Sequence, residues 1–230
     1  RSHFFDTTGF KNACVGISGG KDSAVVAALL TRALGPEHVI ATIVPCGIMP
    51  DMNDAKQICK SLNLTPHIIP IGIETSNMQN SILRETNQQI NKTIIEPHIN
   101  ATSRIRTCAL RYMAAINNAL LVGTTNKSEW FVGYFTKGGD DAVDFEPILD
   151  LTCTEVIELG KQLPEIPPHI LNKKPNDGLS GRTDEERLGI TYAQIDTYLQ
   201  NGTTNDPAID AKIQQLHQNS RHKRQGVPTL

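Results

Sequence analysis

Residues 12–23 read Asn-Ala-Cys-Val-Gly-Ile-Ser-Gly-Gly-Lys-Asp-Ser, a mainly apolar run that ends in two glycines and three polar residues. The run Asn12–Ser18 is short and contains β-branched residues, which predicts a buried strand. Lys21–Leu34 then carries alanine and leucine at helical spacing and stops at Gly35-Pro36, which predicts a helix. A strand joined to a helix by a glycine turn is typical of the first unit of a parallel sheet.

The next segments repeat this alternation. His38–Pro45 and His67–Ile71 have the composition of strands, and an amphipathic pattern over Asn53–Leu62 predicts a helix between them. Short connections between alternating strands and helices favour a right-handed parallel sheet covered by helices. We therefore expect an α/β fold with a single parallel sheet flanked by helices.

The rest of the chain is less regular, with no internal repeat and no domain linker, so we expect one domain over residues 1–230. Asn172–Asp184 has loop composition and is a candidate mobile lid. Glu74–Ile94 is polar and is expected to be largely helical. The remaining predicted elements are a strand over Ala119–Thr124 and helices over Ser103–Ala119, Cys153–Leu163, Thr191–Gln200 and Pro207–Gln218.

Charge and composition exclude several classes of function. The 22 basic and 24 acidic side chains give a formal net charge of −2, which argues against sequence-independent binding to nucleic acid. Aromatic residues make up 5% of the chain, which argues against a base-stacking platform. No apolar run reaches the roughly 18–20 residues that a membrane span needs. We expect neither nucleic acid nor a membrane as a partner.

The five cysteines favour free thiols over a disulfide scaffold or a zinc ribbon. Their number is odd and no two are spaced C-x-x-C. Buried thiols of this kind are typical of a reducing compartment, so we expect a cytoplasmic protein. The cysteines are Cys14, Cys46, Cys59, Cys108 and Cys153.

The loop Ser18–Ser23 has the residues that bind a phosphate or pyrophosphate. Two glycines let backbone N–H groups approach an anion, and the following helix directs its N-terminus at it. The loop is not a Walker A motif, because Val15 and Asp22 break that pattern. A carboxylate at Asp22 would repel a polyphosphate unless Mg2+ lies between them. The alternative is an ordinary glycine turn in which Asp22 and Ser23 cap the helix.

Ser18-Gly19-Gly20-Lys21-Asp22-Ser23 resembles the pyrophosphate loop of the N-type ATP pyrophosphatases. This resemblance implies the Rossmann-like fold of the adenine nucleotide alpha hydrolases. Gly123–Glu129 and Gly133–Asp140 resemble the G-T-x-N-K-S-E and G-Y-x-T-K-Y-G-D patterns of the NAD synthetases within that superfamily. Further matches occur in order along nearly the whole chain, at Asn100, Arg104, Arg106, Asp144, Pro147, Ile148, Lys174, Pro175, Leu179, Thr183–Glu186, Leu188, Gly189, Tyr192, Ile195, Asp196 and His222–Arg224.

The resemblance implies an ammonia-dependent ligase with Mg2+ as cofactor. ATP would adenylate the nicotinate carboxylate of deamido-NAD and release pyrophosphate, and ammonia would then displace AMP to give NAD. Positioning and charge neutralisation suffice for this chemistry, so we expect no catalytic nucleophile. The resemblance also implies a homodimer, and it indicates that the family's N-terminal helix is largely missing before Phe4.

Site residues carry over from the resemblance position by position. Asp22 and Glu129 would bind the metal; without the resemblance, Glu129 would be a solvated carboxylate at a helix start. Thr124 lies at the end of a predicted strand, and ligands of open α/β sheets gather at that end. The residues implied to bind ATP are Ser18, Gly19, Gly20, Lys21, Asp22, Ser23, Thr124, Cys153 and Asn176. Those implied to bind deamido-NAD are Arg104, Lys137, Asp144, His222 and Lys223.

Alternative interpretations accompany the residues of the second group. Arg104 alone is an arginine on a helix face, and Lys137 and Asp144 alone are loop surface charges. The run Arg221–Arg224 alone is a solvated basic terminus.

Three positions depart from the family pattern, with Gly138 in place of tyrosine and Asn176 in place of serine or threonine. At the third, Cys153 stands where the family has a lysine that contacts ATP. If Cys153 faces the phosphates, the substitution Cys153→Lys would restore a cation there. Alternatively, Cys153 packs at a helix start and another lysine serves. The candidates are Lys161, Lys173 and Lys174.

Two other functions remain as alternatives. A tRNA-modifying member of the superfamily would need a basic appended domain or catalytic cysteines, which the net charge and the cysteine spacing oppose. A nucleotide-binding pseudoenzyme is favoured by Cys153 and Gly138 and opposed by Asp22 and Glu129. The sequence does not indicate whether a separate glutaminase supplies the ammonia.

Overall fold

The computed structural model describes residues 3–89, 91, 93–173 and 183–226. Within these residues the strands form one parallel sheet in the order β3-β2-β1-β4. The expected α/β fold with a parallel sheet flanked by helices is confirmed. The strands are β1 (Asn12–Gly16), β2 (Val39–Ile43), β3 (His67–Ile68) and β4 (Ala119–Val122).

Helices precede, follow and connect the strands, and a 3-10 turn at Pro36–His38 leads into β2. None of the described helices combines the length and the apolar character that a membrane span requires. The helices are α1 (His3–Thr8), α2 (Lys21–Leu34), α3 (Met52–Ser61), α4 (Gly72–Glu85), α5 (Ile95–Ile116), α6 (Lys127–Val132), α7 (Cys153–Lys161), α8 (Pro168–Leu171), α9 (Asp184–Leu188), α10 (Tyr192–Asn201), α11 (Pro207–Asn219) and α12 (Arg221–Arg224).

The sheet is covered on both faces, because side chains of β1 alternate between two apolar cores. Val15 and Ile17 belong to the larger core, together with apolar residues of α2, α3, α7 and α8. Cys14 points to the other face and packs with Ala114 of α5 and Leu121 of β4. Burial on both faces explains why β1 has no polar alternation.

A third apolar core, named the smaller core below, lies among the helices α6, α7, α10 and α11. It contains Val132 of α6, Cys153 at the start of α7, and Tyr192 and Ile195 of α10. Ile213 of α11 completes it and is fully buried. This core fixes α6 and the start of α7 beside the phosphate loop.

One predicted helix boundary was wrong and one helix was not predicted, each for an identifiable reason. The helix expected over Ser103–Ala119 begins at Ile95, because Pro97 falls in its first turn, where proline needs no hydrogen-bond donor. The short helix α6 was not predicted from its polar, glycine-bounded sequence. Its start is marked by a capping box between Asn126 and Glu129. Most of the candidate lid Asn172–Asp184 lies outside the described residues.

Candidate active site

A cavity of about 440 Å³ opens at the carboxyl ends of β1, β2 and β4. Ligands of open parallel sheets bind at this edge. The segments that follow the three strands line it, at 16–18, 42–46 and 122–125. Residues of α5, the turn after α6 and α9 close its sides.

The phosphate loop is held by its two serines. The Ser18 N–H donates to Ser23 Oγ (3.2 Å), the Gly20 N–H donates to Ser18 Oγ (3.2 Å), and the two hydroxyl oxygens lie 3.0 Å apart. Gly19 has a φ of +83°, and a Cβ there would come within 2.6 Å of the Asp51 carbonyl oxygen. The positive φ and the close approach of the Asp51 carbonyl oxygen both favour glycine at this position.

The N-terminus of α2 faces the cavity without a side-chain cap from the described residues. Its first-turn N–H groups therefore suit an anion. Ser18, Gly20, Lys21, Asp22 and Ser23 all line the cavity, as expected for a phosphate loop.

Lys21 lines the cavity and is 4% exposed. Its Nζ donates to Asp22 Oδ2 (2.6 Å) and lies 5.7 Å from the centre of the Tyr192 ring. Burial favours a lower pKa for Lys21, but Asp22, Cys153 and Glu129 together hold the pKa above its usual range. Lys21 is therefore a buried cation that is already paired within the protein.

Asp22 and Glu129 are brought together across 107 residues of sequence by Asn126. The Asn126 Nδ2 donates to Asp22 Oδ1 (3.1 Å), and its side-chain oxygen accepts from the Glu129 N–H (3.1 Å). Glu129 returns the bond by accepting from the Asn126 N–H (3.0 Å). Burial and then the charge of Asp22 raise the pKa of Glu129 well above its usual range. The site therefore holds two close carboxylates whose repulsion a cation would relieve.

Asp184 is a third carboxylate at this site, and the sequence matches included it without assigning it a role. It is 4% exposed, and it accepts hydrogen bonds from the hydroxyl groups of Tyr134 (3.1 Å) and Tyr192 (3.3 Å). Its negative charge contributes to the raised pKa of Glu129. The signal in the sequence was the capping box of Thr183 and Glu186, which marks a helix start at Asp184.

The basic residues implied to bind deamido-NAD form a chain of contacts that reaches the cavity at Lys223, whereas Arg104, Lys137 and His222 are not among the described residues that line it. Arg104 Nε donates to the Lys137 carbonyl (3.1 Å), and Lys137 Nζ donates to the His222 carbonyl (2.8 Å). Lys223 lines the cavity and donates to the carbonyl oxygens of Gly133 (2.7 Å) and Phe135 (2.6 Å). Burial lowers the pKa of Lys223.

Arg224 completes this arrangement by donating to the Trp130 (3.1 Å) and Phe131 (3.0 Å) carbonyls near the end of α6. Cationic side chains at a helix C-terminus donate hydrogen bonds to the free carbonyl groups and interact favourably with the helix dipole. The interpretation of Arg221–Arg224 as a solvated basic terminus is therefore wrong for Lys223 and Arg224.

Two further predicted site residues, Asp144 and Cys153, are not among the described residues that line the cavity. Asp144 binds Arg111 Nη1 (2.5 Å) and the Leu121 N–H (2.8 Å). Cys153 is 4% exposed in the smaller core, its N–H donates to Ser128 Oγ (2.9 Å), and burial raises the pKa of its thiol to about 12. Asn176 lies outside the described residues, and Thr124 lines the cavity.

The three lysines considered as substitutes for the missing cation have different positions. Lys161 is exposed and pairs with Glu158 (2.6 Å). Lys173 lines the cavity but pairs with Asp51 and with Asp54 (2.7 Å). Lys174 lies outside the described residues. A fourth lysine, Lys21, is close enough to Cys153 to affect the pKa of its thiol, although nothing in the sequence indicates its burial.

Comparison with known proteins identifies the family. The family model described as NAD synthase matches residues 2–227. An NH(3)-dependent NAD(+) synthetase of Archaeoglobus fulgidus is 40% identical over 229 residues, which cover 96% of this chain and 89% of that protein.

Two solved structures are similar along almost the whole chain. The NMN synthetase of Francisella tularensis superposes with a TM-score of 0.86 and 34% identity, covering 98% of this chain and 91% of that one. The NH3-dependent NAD synthetase of Campylobacter jejuni superposes with a TM-score of 0.77 and 30% identity, covering 99% and 93%. The resemblance carried by the phosphate loop and the Gly123–Asp140 region is thus confirmed, and the chain belongs to the NAD synthase family.

Proposed function

We propose that this chain is an ammonia-dependent NAD synthetase, a ligase that forms a C–N bond. ATP adenylates the nicotinate carboxylate of deamido-NAD with release of pyrophosphate, and ammonia displaces AMP to give NAD. The observation that carries the proposal is the uncapped N-terminus of α2 beside two close carboxylates, Asp22 and Glu129, in one cavity. Relatives that carry this name cover most of the chain.

The phosphate loop is proposed to hold the ATP triphosphate. The hydroxyl groups of Ser18 and Ser23 and the N–H groups of the first turn of α2 are the donors. Thr124 contacts ATP from the end of β4. Preorganised donors of this kind would stabilise the negative charge on the oxygens of the pentacovalent transition state at the α-phosphorus, and no protein nucleophile is needed.

Asp22 and Glu129 fit a Mg2+ ion. Both are carboxylates and both line the cavity. Burial and the charge of Asp22 raise the pKa of Glu129 even though Lys21 lies nearby, so a further cation would stabilise the pair. The described residues contain no group of three or more metal-binding side chains, so the remaining ligands would be phosphate oxygens and waters, which Mg2+ accepts readily. When bound, the ion neutralises charge on the polyphosphate and favours departure of pyrophosphate.

Deamido-NAD is proposed to lie across the mouth of the cavity. Lys223 lines the cavity, and Lys137 and Arg104 are joined to this segment through the contact of Lys137 with His222, so their positive charge would suit a dinucleotide pyrophosphate. Asp144 remains proposed as a residue of the deamido-NAD site. Its ion pair with Arg111 would hold both side chains in place there. Cys153 and Asn176 remain proposed near ATP, with the Cys153 thiol near enough to Lys21 for each group to affect the pKa of the other.

The chain is proposed to act as a homodimer of single NAD synthase domains. Its largest exposed apolar side chains concentrate on α4 and α5, which pack against each other. Tyr112 is 70% exposed and Ile116 is 60% exposed on α5, and Ile73 and Ile82 are exposed on α4. Sedimentation of the wild type and of Tyr112→Glu tests this: we expect a dimer that the variant converts to monomers, and a monomeric wild type at micromolar concentration would contradict it.

The cytoplasm is the proposed location, because the five cysteines are free in the structure and their pairing is not needed for the fold.

A second candidate is amidation of the mononucleotide. It is favoured by the high structural similarity to the Francisella tularensis protein named NMN synthetase. That reaction needs the same phosphate loop and the same pair of carboxylates. It differs in its substrate, which lacks the second nucleotide of deamido-NAD. The contacts proposed for Lys137 and His222 would then have no substrate group to bind.

A product assay decides between these functions. The protein is incubated with ATP, Mg2+ and ammonium, and with either deamido-NAD or nicotinate mononucleotide. We expect AMP and NAD in equal amounts from deamido-NAD, and slower turnover of the mononucleotide. Faster turnover of the mononucleotide would favour the second candidate, and release of ADP or the absence of any product would contradict both.

A further inference from the structure

Glu146 supports the turn Gly123–Thr125, although its sequence position carried no functional prediction. Its Oε2 accepts a hydrogen bond from the Thr125 N–H (3.0 Å). Its Oε1 is buried and has no hydrogen-bond partner within the described part of the chain. The carboxyl group also fills the space beside Gly123, where any added Cβ would overlap with it. One carboxyl group therefore contacts both ends of the turn.

The turn connects Glu146 to the phosphate side of the cavity. Gly123, Thr124 and Thr125 all line the cavity, whereas Glu146 is not among the described lining residues. The next residue, Asn126, binds Asp22 and begins the helix that carries Glu129. A displaced turn would therefore move the groups that face ATP.

The charge state of Glu146 responds to its surroundings. Burial raises the pKa of its carboxyl to about 7, and the carboxylates of Asp140 and Asp141 add to this, while the groups of Thr125 oppose it. These are the charged and polar groups of the described residues that act on it most strongly. The ionised form places a buried negative charge, with one unpartnered oxygen, behind a turn that faces a polyphosphate.

We propose that Glu146 is a positioning residue for ATP: its carboxyl group fixes the turn Gly123–Thr125, and its neutral form gives the tighter nucleotide site. The inference rests on the proposed function for the identity of the nucleotide. Affinity for ATP then weakens as pH rises through neutrality, because the ionised carboxylate of Glu146 repels the phosphates.

The experiment measures the dissociation constant of ATP with Mg2+ by calorimetry at pH 6 and pH 8. The proteins are the wild type, Glu146→Gln as a neutral mimic, Glu146→Ala, and Glu158→Gln as a surface control. We expect the wild type and Glu158→Gln to lose roughly tenfold more affinity between the two pH values than Glu146→Gln does. The part of the pH dependence that comes from titration of ATP itself is the same for all four proteins, so it cancels when they are compared. Glu146→Ala should bind roughly tenfold more weakly than Glu146→Gln at both pH values, since the turn loses its support.

The same pH dependence in Glu146→Gln as in the wild type would overturn the proposal, and so would full affinity in Glu146→Ala. Should Glu146→Ala not fold, the comparison of Glu146→Gln with the wild type still decides. Failure of the proposed function has a different signature: the wild type would bind ATP with the expected pH dependence and yet form no AMP with deamido-NAD.

Discussion

The ammonium group of Lys21 lies 2.6 Å from the carboxylate of Asp22, and the two residues are neighbours in the first turn of α2. The side chain of Lys21 is 3% exposed and that of Asp22 is 18% exposed, so the pair is largely shielded from water. The protein thus carries its own cation beside the carboxylates that are proposed to bind Mg2+. This internal cation offsets part of the negative charge of Asp22 and Glu129.

Replacement of Lys21 by methionine should destabilise the protein by up to about 3–5 kcal/mol, because it leaves buried carboxylates without a partner. Added Mg2+ should then recover more of the melting temperature in Lys21→Met than in the wild type, since ligand binding stabilises the folded state. Thermal unfolding with and without Mg2+ measures both effects. Lys161→Met, which removes an exposed lysine, is the control. Equal Mg2+ effects in the two variants would argue against Lys21 as the internal counter-ion.

Asp22→Asn should reduce NAD formation at least a hundredfold while the far-ultraviolet circular dichroism remains that of the wild type. Asparagine keeps the shape of the side chain and loses the charge that the metal needs. The assay is formation of AMP at saturating ATP and Mg2+. Asp150→Asn, at an exposed position, should have wild-type activity. Near wild-type turnover of Asp22→Asn would remove the metal role of this residue.

Cys153→Lys should lower stability by about 1–3 kcal/mol without tightening ATP binding. The thiol is buried in the smaller core, so a lysine overpacks it and places a second ammonium near Lys21. This favours the interpretation in which Cys153 packs at a helix start and another lysine supplies the cation. Urea unfolding and the apparent ATP constant test it, with Cys153→Ala as the control for lost packing. A tighter ATP constant in Cys153→Lys would show that the position faces the phosphates.

Arg224→Ala should lower the melting temperature and raise the KM for deamido-NAD several-fold with little change in kcat. Arg224 and Lys223 hold the carbonyls between Trp130 and Phe135, so loss of Arg224 loosens the turn that presents Lys137. Charge-assisted bonds of this kind contribute about 1.5–3 kcal/mol. Arg221→Ala removes an exposed arginine from the same helix and serves as the control. The prediction fails if both variants behave alike.

Glu146 should also make stability depend on pH. Its folded-state pKa of about 7 lies above the usual value of 4.5, so the folded protein holds this proton more tightly than the unfolded chain. The stabilisation is complete below about pH 4.5 and is lost as pH rises through 7, by up to about 3 kcal/mol. Glu146→Gln should therefore lose less stability than the wild type between pH 5 and pH 8 in urea unfolding. Identical slopes for the two proteins would exclude this titration.

The fold was predictable because its signals are local. The apolar run of β1, the glycine pair and the helical spacing of Lys21–Leu34 all fall within a few turns of chain, and each element appears where expected. The start of α5 was not predictable in this way. A proline in the first turn of a helix and a proline that ends a helix cannot be told apart from the sequence alone.

The candidate site was predictable to the extent that single segments build it. The phosphate loop is one segment, whereas the approach of Glu129 to Asp22 depends on the packing of α6 and was expected only from the family resemblance. Burial of Lys21 depends on Tyr192 and Cys153, which come from two other helices. The same limit applies to Glu146, whose role follows from its position against Gly123 and Thr125 and not from its neighbours in sequence.

The overlap between Glu146 and any side chain at position 123 makes these two positions dependent on each other in evolution. Gly123 is not among the glycines with positive φ, so its backbone would accept alanine if the space were free. Gly123→Ala alone must push the carboxyl group away from Thr125 and should therefore reproduce the defect of Glu146→Ala. After Glu146→Ala the same step should be nearly neutral. A lineage can thus acquire a side chain at position 123 without further loss only after it has shortened residue 146, and the order of the two substitutions is fixed by packing.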